Sequence, residues 1–223
     1  MRVARQARES IMAVGRSSVS KILLSMHNEE LGSPSPYAKE LCDYLNSFRL
    51  HINSFSPFAT TDGAVAFFLD YVIELFLINA SLLRPTSSSH LKKLSEDLRL
   101  IAQLSLAPFK VNTVSLSCVQ DFVEGLCMPI EELAQTDHFP FWAVIQLLIS
   151  QSEATLLSPH KAVDWSLQTY VEWLSKQTMS DRFKFLSSVI ESYTSSVISH
   201  NRPEYVSTYP LIMNALKRVA AEQ

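Results

Sequence analysis

Apolar residues recur at spacings of three and four along nearly the whole chain, the period of helices that turn one face to a core. Between its proline, glycine and serine interruptions, this pattern predicts helices over Val3 to about Glu30, Tyr37–Phe55, Asp62 to about Leu83, Leu91–Leu106, Val114–Met128 and Phe139–Ser150. Three more are predicted: one over 158–176, one capped by Ser180-Asp181 and running to about Ser199, and one from Val206 to Ala221 that Pro210 bends or starts. Ser158 and Pro159 have the order of an N-cap followed by a first helical position. In Tyr37–Phe55 the residues Leu41, Tyr44, Leu45, Phe48 and Ile52 share a side, as do Leu94, Leu98, Ile101 and Leu104 in Leu91–Leu106. The expected fold is all-α, roughly ten helices in hairpin order, so that neighbours in sequence run antiparallel. The Pro108–Thr113 stretch is the expected boundary, with a first bundle over 1–107 and a second over 108–223.

Two of these helices carry more apolar surface than one buried face needs. Over 158–176, Val163, Leu167, Tyr170, Val171 and Leu174 share one face, and Ala162, Trp165, Thr169 and Trp173 the neighbouring one. About two-thirds of the circumference is then apolar, against the roughly 100° stripe of a surface helix. In the helix ending near Leu83, Asp70, Glu74 and Ser81 mark a thin polar side, while Asn79 falls among Phe68, Val72 and Leu75. Such helices lie between two helix layers or use their second face on a partner. The Ala64–Leu83 stretch is long enough for a bilayer, but Asp70 and Glu74 near its middle would be costly there. It is expected as a buried core helix, with no transmembrane segment. Asn79-Ala80-Ser81 is formally a glycosylation sequon; inside an apolar helix it is expected unmodified, with Asn79 setting helix register through a hydrogen bond.

Composition narrows the class further. Only four glycines occur, too few for the turns of a sheet protein or for a phosphate-cradling loop. With 47% hydrophobic and 18% charged residues the chain can bury a sizeable core and does not read as disordered. A net charge of -3 provides no global field toward nucleic acid or anionic lipid. Cys42, Cys118 and Cys127 form no CxxC and no even framework, which fits a reducing compartment. The N-terminal stretch carries Arg2, Arg5 and Arg8 but lacks the apolar run of a signal peptide, and Glu9, Glu29 and Glu30 set it apart from a mitochondrial presequence.

The residues offer little chemistry. HExxH, GxSxG, P-loop and GxGxxG patterns are all missing. No histidine stands three or four residues from another, and Cys118 and Cys127 would project about 180° apart on a continuous helix. No catalytic residue, cofactor or metal site is expected. Asp70 and Glu74 are one turn apart but read as a polar stripe rather than an acid–base pair. On the basic first helix, Arg2, Arg5, Glu9 and Arg16 oppose a face of Ala4, Ala7, Ile11, Gly15, Ser18 and Ile22. So small a face suits close helix packing better than a lipid surface, which would call for bulky apolar groups. Binding to lipid through this helix is the alternative to protein binding. The candidate partner contacts are the aromatic cluster Phe139, Phe141 and Trp142, with Trp165 and Trp173, although tryptophan is more often a core residue than an interface one.

Several runs, in order, carry a resemblance: Glu74-Leu-Phe with Ala80-Ser-Leu-Leu-Arg-Pro85, Phe139-Pro-Phe-Trp-Ala-Val-Ile-Gln-Leu-Leu, Leu157-Ser-Pro159 with Ala162, Trp165-Ser166 and Trp173-Leu174. Asp181-Arg182, Glu191-Ser-Tyr193 and Tyr209-Pro210 come after these, and Met26-His27 and Tyr37 with Lys39-Glu40-Leu41 precede them. Together they resemble the C-terminal part of the subunit 5 family of the conserved oligomeric Golgi complex. The resemblance implies a non-catalytic segment of a vesicle tether on the cytosolic face of the Golgi, acting in intra-Golgi retrograde transport. It implies a rod of stacked helical bundles like that of exocyst-type tethers. Implied partners are other subunits, above all subunit 7, and through the complex SNAREs, Rab GTPases and coiled-coil tethers. Full family subunits are several times longer, so a fragment, an incomplete gene model or a truncated form is implied.

Overall fold

In a computed structural model, which describes residues 2–27, 35–55, 62–84, 88–109, 114–137, 140–200 and 204–222, the described residues form eleven α-helices and no strand. They group into two compact units: residues 1–79 with 89–126, and residues 80–88 with 127–223. Position 107/108 lies inside the first.

The first unit contains α1 (Arg2–Ser25), α2 (Pro36–Phe55), most of α3 (Asp62–Ser81), α4 (Ser88–Ile101) and α5 (Val114–Gly125). Burial follows the apolar period. In α2 the buried set is Tyr37, Ala38, Leu41, Cys42, Leu45 and Phe48, a single stripe, while Tyr44 and Ile52, expected on the same side, are half-buried. Among the described side chains of α1 it is Val19, Ile22 and Leu23, with Met26 just past the helix end, so the apolar side past Gly15 is occupied by packing, much of it against α2. Gly15 is where the helices come closest. A Cβ there would stand 3.0 Å from Phe68 Cε2 and 3.2 Å from Phe48 Cε2. Those rings are buried and packed on each other with centroids 4.4 Å apart, so neither can give way easily. Gly15→Leu is therefore expected to cost about 2–3 kcal/mol by overpacking, and Gly15→Ala to fail to deliver the roughly 1 kcal/mol its helix propensity offers. Thermal melts of the two variants test this; a gain in stability for Gly15→Ala would show that the rings have room.

α3 is the core helix expected of it. From Leu75 to Ser81 every residue is buried, and among the described residues no helix is long and apolar enough to cross a membrane. Two details differ from expectation. Ser81, assigned to the polar side, is fully buried. Asn79 Nδ2 donates to Leu75 O at 2.8 Å within its own helix, so that bond sets no register between helices. α4 also departs from a regular helix. It runs into a π turn over Ala102–Leu106, where Ala107 N–H donates to Ala102 O, and then a 3-10 turn over Ala107–Phe109. The wider turn rotates its residues out of the register that α4 sets. Leu104, expected on the apolar side, is 54% exposed as a result.

The second unit is built around α7 (Phe141–Ser150), with α6 (Ile130–Leu133), α8 (Pro159–Ala162), α9 (Leu167–Leu174), α10 (Met179–Ser199) and α11 (Tyr209–Glu222). Every residue from Trp142 to Ser150 is buried, because the sequence is apolar all round and α6, α10 and α11 pack against it. Its one large polar side chain, Gln146, is matched on both ends. Ser81 Oγ donates to Gln146 Oε1 at 2.6 Å, and Gln146 Nε2 donates to Tyr170 OH at 2.6 Å.

The single helix expected over 158–176 is two helices. Ser158 and Pro159 start α8 as expected, but it lasts one turn. Trp165 N–H donates to His160 O at 2.8 Å and Asp164 N–H to Lys161 O at 3.3 Å, and Asp164 has φ 55°. These are the two crossed bonds of a Schellman C-terminus, with aspartate where glycine is usual. Ser166 then caps α9, its side chain accepting from Thr169 N–H at 3.1 Å. The two-thirds-apolar cylinder is thereby cut: Val163, Gln168 and Thr169 are exposed while Tyr170, Val171 and Leu174 are buried. The cap of α10 also falls earlier than the expected Ser180-Asp181. Thr178 Oγ1 accepts from Asp181 N–H at 3.2 Å and donates to Asp181 Oδ2 at 2.6 Å, so threonine is the cap and Asp181 its partner one turn on.

Candidate partner-binding surface

The five aromatic candidates end in different places. Phe139 lies outside the described residues. Trp142 is 1% exposed, with the guanidinium of the similarly buried Arg182 5.3 Å from its ring centroid, so it is a core residue of this unit. Phe141 is half-buried and meets Phe183 of α10 edge to face at 6.0 Å. Trp165 and Trp173 come together, with centroids 5.7 Å apart, although the helix expected to align them is broken.

The meeting depends on Phe185 of α10. Trp165 stacks on it at 5.6 Å and Trp173 sits 4.7 Å from it; Tyr170 closes the cluster from beneath at 5.7 Å. Tyr170 is buried, whereas Trp165, Trp173 and Phe185 keep partly exposed faces. The Schellman turn points Trp165 back across α9, and the first turns of α10 bring Phe185 underneath. The sequence did not single out Phe185. Its signal was weak: one aromatic of a Phe-Lys-Phe pair whose other member, Phe183, faces Phe141. On the segments that carry the cluster, Val163 and Met179 are also exposed, by 37% and 52%. A rigid, half-exposed aromatic patch of this kind suits apolar contact with another protein and has no acid, base or nucleophile of its own.

Nearby electrostatics are structural. Burial holds the Tyr170 hydroxyl well above the usual phenol range, against the opposing effects of the Gln146 hydrogen bond and Arg182. His160, whose ring lies 6.2 Å from that of Tyr170, is held below 6.5 by burial first, then by Lys161 and Arg84. As pH falls below 6.5 the unfolded chain therefore takes up the proton before the folded one does. Stability should decline from about pH 7 downward until His160 protonates in the native state, and His160→Gln should flatten that part of the profile. Urea midpoints at matched pH values check this; parallel profiles for the two proteins would refute it. Among the described residues no group of three or more His, Cys, Asp and Glu is placed to hold a metal ion.

No family model matches the chain, and no solved structure does. Two curated proteins are similar to it. Conserved oligomeric Golgi complex subunit 5 of Drosophila melanogaster is 28% identical over 95% of this chain and 30% of its own length. The protein of the same description from Mus musculus is 28% identical over 90% of this chain and 27% of its own length. The chain thus spans about three-tenths of the length of these relatives. Over 90–95% of its residues, the chain is homologous to a segment of conserved oligomeric Golgi complex subunit 5.

Proposed function

We propose that the chain acts as a non-catalytic, protein-binding segment of a Golgi vesicle-tethering complex, at the cytosolic face of the Golgi, in intra-Golgi retrograde transport. The similarity along nearly the whole chain is the observation that carries this reading. The all-helical fold and the half-exposed Trp165–Trp173–Phe185 patch are consistent with it. The proposed partners are other subunits of the complex, above all subunit 7, with SNAREs, Rab GTPases and coiled-coil tethers engaged through the assembly. The stacked-bundle rod of exocyst-like tethers is part of the same proposal. The alternative, lipid binding through α1, rests on Arg2, Arg5 and Arg8 and on Ala4, Ala7 and Ile11, whose side chains lie outside the described residues; farther along the same face Gly15 and Ile22 are buried.

Co-expression with subunit 7 followed by affinity purification tests the reading. Retention of the two chains together is expected, and Trp165→Ala with Trp173→Ala should weaken it by about tenfold or more if the patch is a hot spot. A chain that stays monomeric and does not retain subunit 7 would count against the proposal.

A further inference from the structure

A pocket of about 380 Å³ opens beside the C-terminal end of α7, with Arg84, Ser150, Ser152, Leu157, Ser158 and Lys161 in its wall. Its two charged wall residues are both cations. Arg84 is held in place by the main chain: Nη1 donates to Leu156 O at 2.7 Å and Nη2 to Ile149 O. Its Nε is shielded from solvent and has no hydrogen-bond partner among the described residues. No carboxylate of the described residues pairs with Arg84 or Lys161. Ser158 is 5% exposed, and its hydroxyl makes no cap hydrogen bond to α8. Lys161 and Arg84 both stand near enough to His160 to add, after burial, to the lowering of its proton affinity. A helix C-terminus alone would repel an anion with about half a unit charge, which two full cations exceed.

We propose that this pocket binds a phosphate group, carried by a small soluble molecule or by a lipid headgroup. Arg84 supplies a fixed planar guanidinium, Lys161 an exposed ammonium that closes on the ligand, and Ser158 a hydroxyl donor. The volume leaves room for a carrier beyond the phosphate itself. The wall lies within one compact unit.

The test uses the whole chain with two probes. Inorganic phosphate is titrated while the melting temperature is followed, with chloride at equal ionic strength as the reference. Phosphatidylcholine vesicles, with and without a few mol per cent of a phosphatidylinositol monophosphate, are used in flotation. Lys161→Glu is the test variant, because Lys161 is exposed and its replacement leaves the core intact. Lys184→Glu, on the exposed side of α10, is the control. A saturable response to at least one probe, weakened about tenfold or more in Lys161→Glu and kept in Lys184→Glu, is the expected result. A response to phosphate alone assigns a soluble ligand, and one to the phosphoinositide vesicles assigns a headgroup. No saturable response to either probe, or equal responses in Lys161→Glu and the unaltered chain, overturns the proposal.

Discussion

Asp97→Ala should unfold in urea at a clearly lower midpoint than the unaltered chain, a loss of about 3–5 kcal/mol. Asp97 is 1% exposed in α4 and gathers donors from a segment far away in sequence. Its Oδ2 accepts from Ser35 Oγ at 2.6 Å and Tyr37 OH at 2.9 Å, and its Oδ1 accepts from Ser35 N–H at 3.3 Å. Lys93 Nζ stands 4.0 Å from Oδ1, one turn earlier in the same helix. Ser35 and Pro36 form the entrance to α2, where free N–H groups and the helix dipole favour a negative charge. A carboxylate of α4 thus completes the N-terminus of α2. Bonds to a charged acceptor are worth about 1.5–3 kcal/mol each, which offsets the desolvation of the carboxylate only while they are all made. Asp97→Asn keeps the acceptor oxygen but not the charge and should lose less, about 1–2 kcal/mol. Circular dichroism is the right probe, since all three tryptophans lie in the other unit. A loss under about 1 kcal/mol for Asp97→Ala would dismiss this account.

Gln146→Leu should cost about 2–4 kcal/mol, although leucine matches the apolar surroundings of α7. The substitution takes an acceptor from Ser81 and a donor from the fully buried Tyr170 hydroxyl, where water does not replace them. Tyr170→Phe alone should cost less. The double variant Gln146→Leu/Tyr170→Phe should be more stable than the sum of the two, by a coupling of about 0.5–3 kcal/mol, because both ends of one bond are then removed together. Tryptophan fluorescence reads this unit directly. A coupling near zero would mean that the two side chains do not act as a pair.

The candidate surface was half legible. Trp165 and Trp173 stand out by type, and the structure does bring them together. Trp142 is of the same type but is covered by Arg182, and no local feature separates the two cases. Nothing local marks Phe185, because an aromatic near the start of a helix becomes part of a patch only when another segment reaches it. The break before α9 was hidden for a related reason. Aspartate tolerates the left-handed conformation less readily than glycine, so Asp164 reads as helical until its neighbours are placed.

The amino-acid pattern by itself determined the helical class, the extent of most helices, the buried stripe of α2 and the deep burial of α3. Those properties rest on hydrogen bonds and side-chain neighbours within one or two turns, and a linear pattern contains both. Tertiary structure decided where a helix is cut, which tryptophan is covered, how Gln146 is matched on both ends and why Asp97 tolerates burial. Each of these depends on groups brought together from different helices, 62 residues apart in the case of Asp97 and Ser35, and their meeting is set by how whole helices pack.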